Sequence, residues 1–212
     1  MIPQFRYYLF DVDGTLVDSA EDICGAIQGV LFKTARNDVS FEFLKGYIGR
    51  HLVDLFQDLF PDYTVEQHEA LINEYRATYP ARNHGCTRVY PEVPGVLAAL
   101  PGLKATATTK GTPTTRVVLE KFGLLSYFDH VQGTDGFPAK PNPDVVYKAL
   151  QALGGTTEEC LFVGDSAADM EAARRAGVKS CAVTYGYGKP EDLARWEPDY
   201  WLSDVRDLLG GG

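Results

Sequence analysis

The sequence predicts an α/β protein with a doubly wound parallel sheet and an all-helical segment inserted after the first strand. From about residue 89 onward, short apolar runs alternate with stretches of helical apolar spacing, as in parallel strands joined by crossover helices. Between residues 17 and 88, only helical spacing is found. We therefore predict a core made of residues 1–16 and 89–212, and a separate helical domain at 17–88.

The length and composition agree with this division. The 212 residues, 45% of them hydrophobic, can bury one large core and a smaller second one. A net charge of -9 and a pI near 4.9 oppose an extended nucleic-acid or anionic-membrane surface. We expect a monomer or homodimer whose partner is a small anionic molecule held by a few local cations.

The first strand is predicted from the apolar run of residues 7–10, which stops at Asp11 and an acidic, glycine-containing turn. The insertion then begins with a helix over about 20–35, because Ser19 and Asp22 have the spacing of a capping box. Two more helical patterns follow at about 52–59 and 64–79.

The second half of the chain alternates regularly between the two kinds of element. Glycines follow two of the predicted helices, as expected at helix C-termini. The predicted order is helix 93–100, strand 104–109, helix 112–123, a weaker strand 129–132, helix 143–153, strand 160–163, helix 166–176 and strand 180–183. This alternation predicts right-handed crossovers and a mostly parallel sheet.

The four cysteines are scattered, with no C-x-x-C pair, so neither disulfides nor a structural zinc site is expected. The apolar stretch near the amino terminus is too short for a signal peptide, and no later run approaches the ~20 apolar residues of a membrane helix. We expect a cytoplasmic protein that does not bind membranes.

Four polar clusters follow predicted apolar elements, and parallel sheets bind ligands at the carboxyl ends of their strands. The clusters are Asp11 with Asp13, Thr108 with Thr109 and Lys110, Lys140, and Asp165 with Asp169. Each cluster alone has an ordinary explanation, such as a surface turn, a threonine-rich strand, an exposed lysine or a helix cap. Their occurrence in chain order at successive strand ends favours a single site.

The first cluster also resembles the start of a calcium-binding loop. An EF-hand loop needs Gly at its sixth position and a bidentate Glu at its twelfth. Counting Asp11 as the first position places Leu16 and Asp22 there. The pattern therefore departs from an EF-hand, although a calcium site or a plain turn stays open on this motif alone.

Together the motifs resemble those of the haloacid dehalogenase superfamily of phosphohydrolases, and the resemblance covers nearly the whole chain. The matching residues, in order, are Asp11-x-Asp13-Gly14-Thr15, Thr108, Lys140 and Gly164-Asp165-x-x-x-Asp169. The resemblance implies a Rossmann-like core and a helical cap of the first type, inserted directly after the first motif.

The resemblance also implies a Mg²⁺-dependent phosphate monoester hydrolase. Asp11 would attack phosphorus to form an aspartyl phosphate, and Asp13 would act first as acid and then as base. Asp11, the backbone carbonyl of Asp13, and Asp165 are the implied metal ligands, while Asp169 would act through a bound water or by holding Lys140. The implied phosphate-binding groups are Thr108, Thr109 and Lys140.

Residues 11–19 and 183–188 look most like phosphoglycolate phosphatases. A substrate carboxylate would need a cation in the cap, and Arg50, within Gly49-Arg50-His51, is our candidate. Four other arginines compete with it: Arg36, Arg76, Arg82 and Arg88.

Three alternatives remain at this stage. A sugar phosphomutase of the same superfamily would differ only in cap residues. A receiver-like module switched by phosphorylation also gathers acids, a Thr and a Lys, but it has no helical insertion after the first strand. A true dehalogenase is opposed by Asp13, because displacement at carbon needs no acid for the leaving group. No P-loop motif is present, which disfavours ATP-driven transfer.

Overall fold

A computed structural model describes residues 2–210 of the chain. Its main sheet has five parallel strands in the spatial order β4-β1-β5-β6-β7. Their bounds are β1 Tyr7–Phe10, β4 Leu103–Thr106, β5 Cys160–Gly164, β6 Lys179–Val183 and β7 Tyr200–Leu202. The predicted α/β fold with a parallel sheet is confirmed.

The first strand lies near the centre of the sheet, and all four of its residues are buried. Tyr8 and Phe10 pack into one hydrophobic cluster, whereas Tyr7 and Leu9 pack into another. Because successive side chains of a strand point to opposite faces, the two clusters lie on opposite sides of the sheet. A continuous apolar run is therefore required here, as the sequence indicated.

Helices cover both faces of the sheet, as in a doubly wound fold. The helices of this part are α5 Val93–Ala99, α6 Thr112–Lys121, α7 Asp144–Leu153, α8 Ala167–Ala176 and the short α9 Pro190–Ala194. Gly154 and Gly177 end α7 and α8 in the left-handed conformation, with φ of 65° and 75°. These two helix ends agree with the sequence prediction.

The segment inserted after β1 contains α1 Ala20–Leu31, α2 Phe41–Lys45, α3 Leu52–Leu59 and α4 Val65–Thr78. Their apolar side chains form a third hydrophobic cluster, which draws its buried residues from positions 23–79 only. A capping box of Thr64 and Gln67 opens α4, in agreement with the helix predicted to begin at about residue 64. We propose that this segment is the cap and the rest of the chain the core.

The prediction of an all-helical insertion at 17–88 is wrong at its two ends. Short strands β2 Val17–Asp18 and β3 Arg88–Val89 pair antiparallel where the chain leaves and re-enters the core. We call this pair the hinge ribbon. Two-residue strands carry too little periodic pattern to be recognised in a sequence.

The predicted capping box at Ser19 is also wrong. The Ser19 side chain makes no cap hydrogen bond to α1 and instead donates to Oδ1 of Asp13 over 2.6 Å. Asp22 accepts hydrogen bonds from the N–H groups of Cys86 and Thr87 and from the Thr87 hydroxyl, at 2.7–3.0 Å. Both side chains therefore serve long-range contacts that override the local motif.

The remaining differences are small. The helix predicted over 20–35 ends at Leu31, and the strand predicted over 104–109 ends at Thr106. Residues 129–132 form no strand. They pair with β4 at one position only, His130 opposite Ala105, and the N–H of Gln132 donates to the Thr106 hydroxyl instead of to a backbone carbonyl. Within residues 2–210, no helix combines the length and apolarity that a bilayer crossing requires.

Candidate active site

The centre of the site is the carboxyl edge of β1 and its two neighbours. Asp11 directly follows β1, and its N–H donates to the Val163 carbonyl of β5 over 2.9 Å. On the other side, the N–H of Ala107 donates to the Phe10 carbonyl over 2.8 Å. The chain segments after β4, β1 and β5 therefore meet at this edge, as expected for parallel strands.

Three carboxylates converge there. Carboxylate oxygens of Asp11, Asp165 and Asp169 lie within 4.8 Å of one another, and none of the three residues is more than 2% exposed. Lys140 is equally buried, and its Nζ lies 3.0 Å from Asp11 Oδ1 and 2.5 Å from Asp169 Oδ1. The Lys140 ammonium also donates to the Ala107 carbonyl over 3.0 Å.

Burial dominates the electrostatics of this cluster. It raises the pKa of Asp11 to about 6; the charges of Asp169 and Asp13 act in the same direction, and Lys140 opposes them. Burial likewise raises the pKa of Asp165 well above its usual value. Burial alone would lower the pKa of Lys140, but Asp11 and Asp169 raise it above the usual value. Lys140 therefore stays charged. Its single positive charge cannot balance three carboxylates, so the cluster is negative when all three are ionised.

This donor set fits a hard divalent cation. Oδ1 of Asp11 is buried and accepts no hydrogen bond: the Lys140 ammonium lies 3.0 Å away but outside hydrogen-bond geometry. The negative charge of this oxygen is therefore only partly compensated. Carboxylate oxygens are the ligands that Mg²⁺ prefers. Asp169 is the acid most closely bound to Lys140: its Oδ1 accepts from the Lys140 ammonium over 2.5 Å, and its Oδ2 accepts from the N–H and hydroxyl of Ser166. A supporting position for Asp169 agrees with these contacts.

Asp165 is held by groups on both sides. Oδ1 accepts from the Thr15 hydroxyl over 3.0 Å, and Oδ2 accepts from the N–H of Tyr187 over 2.8 Å. Gly14 and Gly186 lie so close that a Cβ on either would overlap the Asp165 side chain. Gly14 also has φ of 87°, so two separate constraints require glycine there.

Asp13 lies apart from the three-carboxylate cluster and lines the cavity beside the insertion. Its Oδ1 accepts from the Ser19 hydroxyl, and its Oδ2 lies 3.1 Å from Nζ of Lys110. Lys110 also donates to the Tyr79 hydroxyl over 3.1 Å. Lys110 belongs to one of the four polar clusters predicted to form a single site, but a contact with Asp13 is not predicted for it, because a loop lysine is ordinarily exposed. Ser19 is predicted only as a helix cap.

The other predicted phosphate-binding residues lie in the loop after β4. Thr108 is buried; its carbonyl accepts from the Thr134 hydroxyl over 2.9 Å, and its own hydroxyl is 3.4 Å from the N–H of Lys110. Thr109 lines a cavity between core and insertion. This loop therefore brings both threonines to the same edge as Asp11, with Thr109 open to the cavity.

The cavity has a volume of about 610 Å³, enough for a small metabolite. Core residues Asp13, Thr109 and Lys110 line one side. The insertion contributes the other side, including Tyr47, Arg50, His51, Tyr75, Arg76 and Tyr79.

Only two of the five candidate arginines line this cavity. Arg50 is half-exposed, lies 3.9 Å from Asp54 and 3.8 Å from Asp58, and stacks over Tyr47. Arg76 has no ion-pair partner within residues 2–210. The other three arginines bond elsewhere: Arg36 to Leu59, Arg82 to Asp22 and Arg88 to Gly85 and Thr87.

Comparisons with known proteins show the family to which the chain belongs. Residues 8–183 match the family model described as haloacid dehalogenase-like hydrolase. A phosphoglycolate phosphatase from Aquifex aeolicus is 36% identical over 208 residues, which cover 96% of this chain and 95% of that protein. Pyrophosphatase PpaX from Listeria welshimeri is 31% identical over 214 residues, covering 95% and 93%.

A similar fold is present in the solved structure of a haloacid dehalogenase-like family hydrolase from Streptococcus pneumoniae. The two chains are 26% identical, each is covered to 97%, and the TM-score is 0.88. The family model spans most of the sequence, and its residues include β4, β5, all of β1 after Tyr7 and the four acids of the site. The chain belongs to the haloacid dehalogenase-like hydrolase family.

Proposed function

We propose that the chain is a Mg²⁺-dependent phosphate monoester hydrolase that uses Asp11 as a covalent nucleophile. The observation that carries the proposal is the convergence of Asp11, Lys140, Asp165 and Asp169 at the carboxyl ends of neighbouring strands. Similarity to proteins named phosphoglycolate phosphatase supports the reaction class. A receiver-like module does not fit a member of a hydrolase family.

The protein's own groups divide the work in the following way. Asp11 attacks phosphorus in line and forms an aspartyl phosphate, while Asp13 protonates the leaving alkoxide and later takes a proton from water. Lys140 holds Asp11 in place and neutralises phosphoryl oxygens together with Thr108 and the Thr109 N–H. Mg²⁺, held by Asp11, Asp165 and the Asp13 carbonyl, would offset the charge repulsion between carboxylate and phosphate.

The cavity sets the substrate class. It suits a small phosphorylated metabolite, and its cations Arg50 and Arg76 favour a second anionic group, as in 2-phosphoglycolate. The relative named pyrophosphatase supports pyrophosphate as a second substrate to be tested. A sugar phosphomutase of the same superfamily would use the same core, so product analysis has to accompany phosphate release.

The central test is phosphate release from a panel of small monoesters and pyrophosphate, with Mg²⁺ or with EDTA. We expect release to need Mg²⁺ and to fall at least about 10³-fold in Asp11→Asn, because the amide is not a nucleophile. Asp62→Asn is the matched control, since Asp62 is an exposed acid of the insertion that does not line the cavity.

Two results would contradict the proposal. Phosphate release that survives in Asp11→Asn would show that another group attacks phosphorus. An isomerised sugar phosphate in place of free phosphate would assign the chain to the mutases. In the wild type, trapping phosphate on Asp11 in acid-quenched protein, detected by mass spectrometry, would support the covalent step directly.

A further inference from the structure

The loop that follows β6 contacts two functional parts of the molecule through one residue. The N–H of Tyr187 donates to Oδ2 of Asp165 over 2.8 Å. The hydroxyl of the same tyrosine accepts from the N–H of Ser19 over 2.7 Å and donates to Oδ1 of Asp18 over 2.9 Å. Tyr187 therefore spans the distance between the acidic cluster and the end of β2 in the hinge ribbon.

The loop has little freedom to move away from Asp165. Gly186 packs directly against the Asp165 side chain, and Gly188 packs against its backbone carbonyl, so a Cβ at either position would overlap it. The insertion approaches from the opposite side, where Nζ of Lys45 in α2 lies 5.5 Å from the centre of the Tyr187 ring. The partly buried ring therefore contacts both the core loop and α2 of the insertion.

Ser19 extends these contacts to the second carboxylate of the first motif. Its N–H binds Tyr187, and its hydroxyl donates to Oδ1 of Asp13 over 2.6 Å. Ser19 is buried. A continuous series of hydrogen bonds therefore runs from Asp165 through Tyr187 and Ser19 to Asp13, and it passes through the point where the chain enters the insertion.

We propose that Tyr187 is a positioning residue that couples the metal ligand Asp165 to Asp18 of the hinge ribbon and to the adjoining Ser19. The inference rests on the proposed function, because it takes Asp165 as a ligand of Mg²⁺. Mg²⁺ held by Asp165 would stabilise the contacts between this residue and the loop, and the Tyr187 hydroxyl would transmit that stabilisation to the Ser19 amide. Because coupling between two sites is reciprocal, a fixed hinge ribbon strengthens Mg²⁺ binding to the same extent.

The variant Tyr187→Phe tests the coupling, because it removes only the hydroxyl and keeps the ring and the N–H to Asp165. Tyr185→Phe is the matched control: it lies on the same loop, and its hydroxyl donates to the Thr15 carbonyl over 3.1 Å without reaching the hinge ribbon. Tyr187→Phe loses the hydroxyl hydrogen bonds to Ser19 and Asp18, and Tyr185→Phe loses the one to Thr15. The two measurements are Mg²⁺ affinity of the full chain by calorimetry and hydrogen exchange of the Ser19 amide with and without Mg²⁺.

In the wild type and in Tyr185→Phe, we expect Mg²⁺ to slow exchange of the Ser19 amide. In Tyr187→Phe this protection should be lost. Mg²⁺ affinity should fall by about 2- to 10-fold, the range for the hydrogen bond to Ser19 that carries the coupling. Ser19→Ala keeps the backbone contact to Tyr187 and removes only the contact to Asp13. We expect it to lower kcat with little change in KM or in Mg²⁺ affinity.

The outcomes separate this inference from the proposed function. Mg²⁺ protection of Ser19 that is equal in Tyr187→Phe and wild type would overturn the coupling and leave the phosphatase proposal standing. Equal losses in Tyr187→Phe and Tyr185→Phe would also overturn it, because they would reflect general loosening of the loop. A wild type that does not bind Mg²⁺ would overturn both.

Discussion

The nucleophile proposed here, Asp11, is one of four acids whose charges are balanced by only two lysines. Asp11, Asp165 and Asp169 surround Lys140, while Asp13 is paired with Lys110. Each lysine reduces the cost of burying its partners, but the three-carboxylate cluster keeps an excess of negative charge. A cation-binding site built in this way is unfavourable for the folded chain until the cation arrives.

The pH dependence of stability follows from this arrangement. The pKa of Asp11 is raised to about 6 from 3.8, so the folded chain binds more protons than the unfolded chain between these values. In EDTA, the contribution of Asp11 to stability should therefore fall as the pH rises from about 4 to about 6. Asp11→Asn removes this contribution, and its stability relative to wild type should increase with pH over the same range.

Urea unfolding of both proteins at about pH 4.5 and pH 7 measures the effect. We expect the difference in unfolding free energy between variant and wild type to change by no more than about 3 kcal/mol, the limit set by the two pKa values. Comparing each protein with itself at two pH values removes the constant effects of the substitution. A difference that stays constant with pH would contradict the raised pKa.

At the level of elements, the insertion is joined to the core by more than its own chain. The first turn of α1 holds the returning segment through Asp22, which accepts three hydrogen bonds from Cys86 and Thr87. Arg82 adds its charge at 3.4 Å. This single carboxylate therefore links the start of the insertion to its end, next to the hinge ribbon.

Asp22→Asn should destabilise the protein by about 1–3 kcal/mol at neutral pH, because three hydrogen bonds lose their charged acceptor and Arg82 loses its ionic partner. Burial alone would raise the pKa of Asp22, but the hydrogen bonds from Thr87 and Cys86 and the Arg82 charge hold it below its usual value. The carboxylate therefore contributes stability above about pH 4, and this contribution is lost as the pH falls further.

Urea unfolding of Asp22→Asn and of Glu42→Gln, an exposed acid in the first turn of α2, checks this prediction. Glu42→Gln should match the wild type within about 0.5 kcal/mol. The loss in Asp22→Asn should shrink at about pH 3. An equal loss at pH 3 and pH 7 would show that packing, rather than charge, makes the contribution of Asp22.

At the level of the whole molecule, the residues proposed for chemistry and those proposed for substrate choice lie on opposite sides of one cavity. The core contributes Asp13, Thr109 and Lys110, whereas the insertion contributes Arg50 and Arg76. Arg50 already has two acidic neighbours, while Arg76 has none within residues 2–210. Geometry thus reduces five candidate arginines to two and distinguishes these two by their partners.

Arg50→Ala should raise KM for 2-phosphoglycolate by about 10- to 100-fold, the range for a hydrogen bond to a charged group, and change KM for an aryl phosphate little. Arg76→Ala is the direct competitor in the same assay. The exposed Arg195, directly after α9, supplies the control variant Arg195→Ala. If only Arg76→Ala is selective for 2-phosphoglycolate, Arg76 binds the carboxylate and the assignment to Arg50 is wrong.

The sequence predicted a site residue where its position depends on neighbouring residues in the chain, and failed where it depends on distant ones. Asp11 and Asp165 each follow an apolar strand directly, so their place at the sheet edge was evident from the sequence. Ser19 and Asp22 had the spacing of a local cap, but buried partners far along the chain bind them instead. The roles of Lys110 and Tyr187 depend on how loops from separate strands meet, and no local pattern encodes that.

The hinge ribbon has a consequence for how such a protein can diversify. Val17 pairs with Val89 and Asp18 with Arg88, so the two junctions of the insertion are adjacent in space. A segment whose ends are already held together can be exchanged like a cassette, because its length adds little to the entropy of closing the loop. A new cassette could bring different cavity-lining side chains while the sheet keeps its register and Asp11 its neighbours.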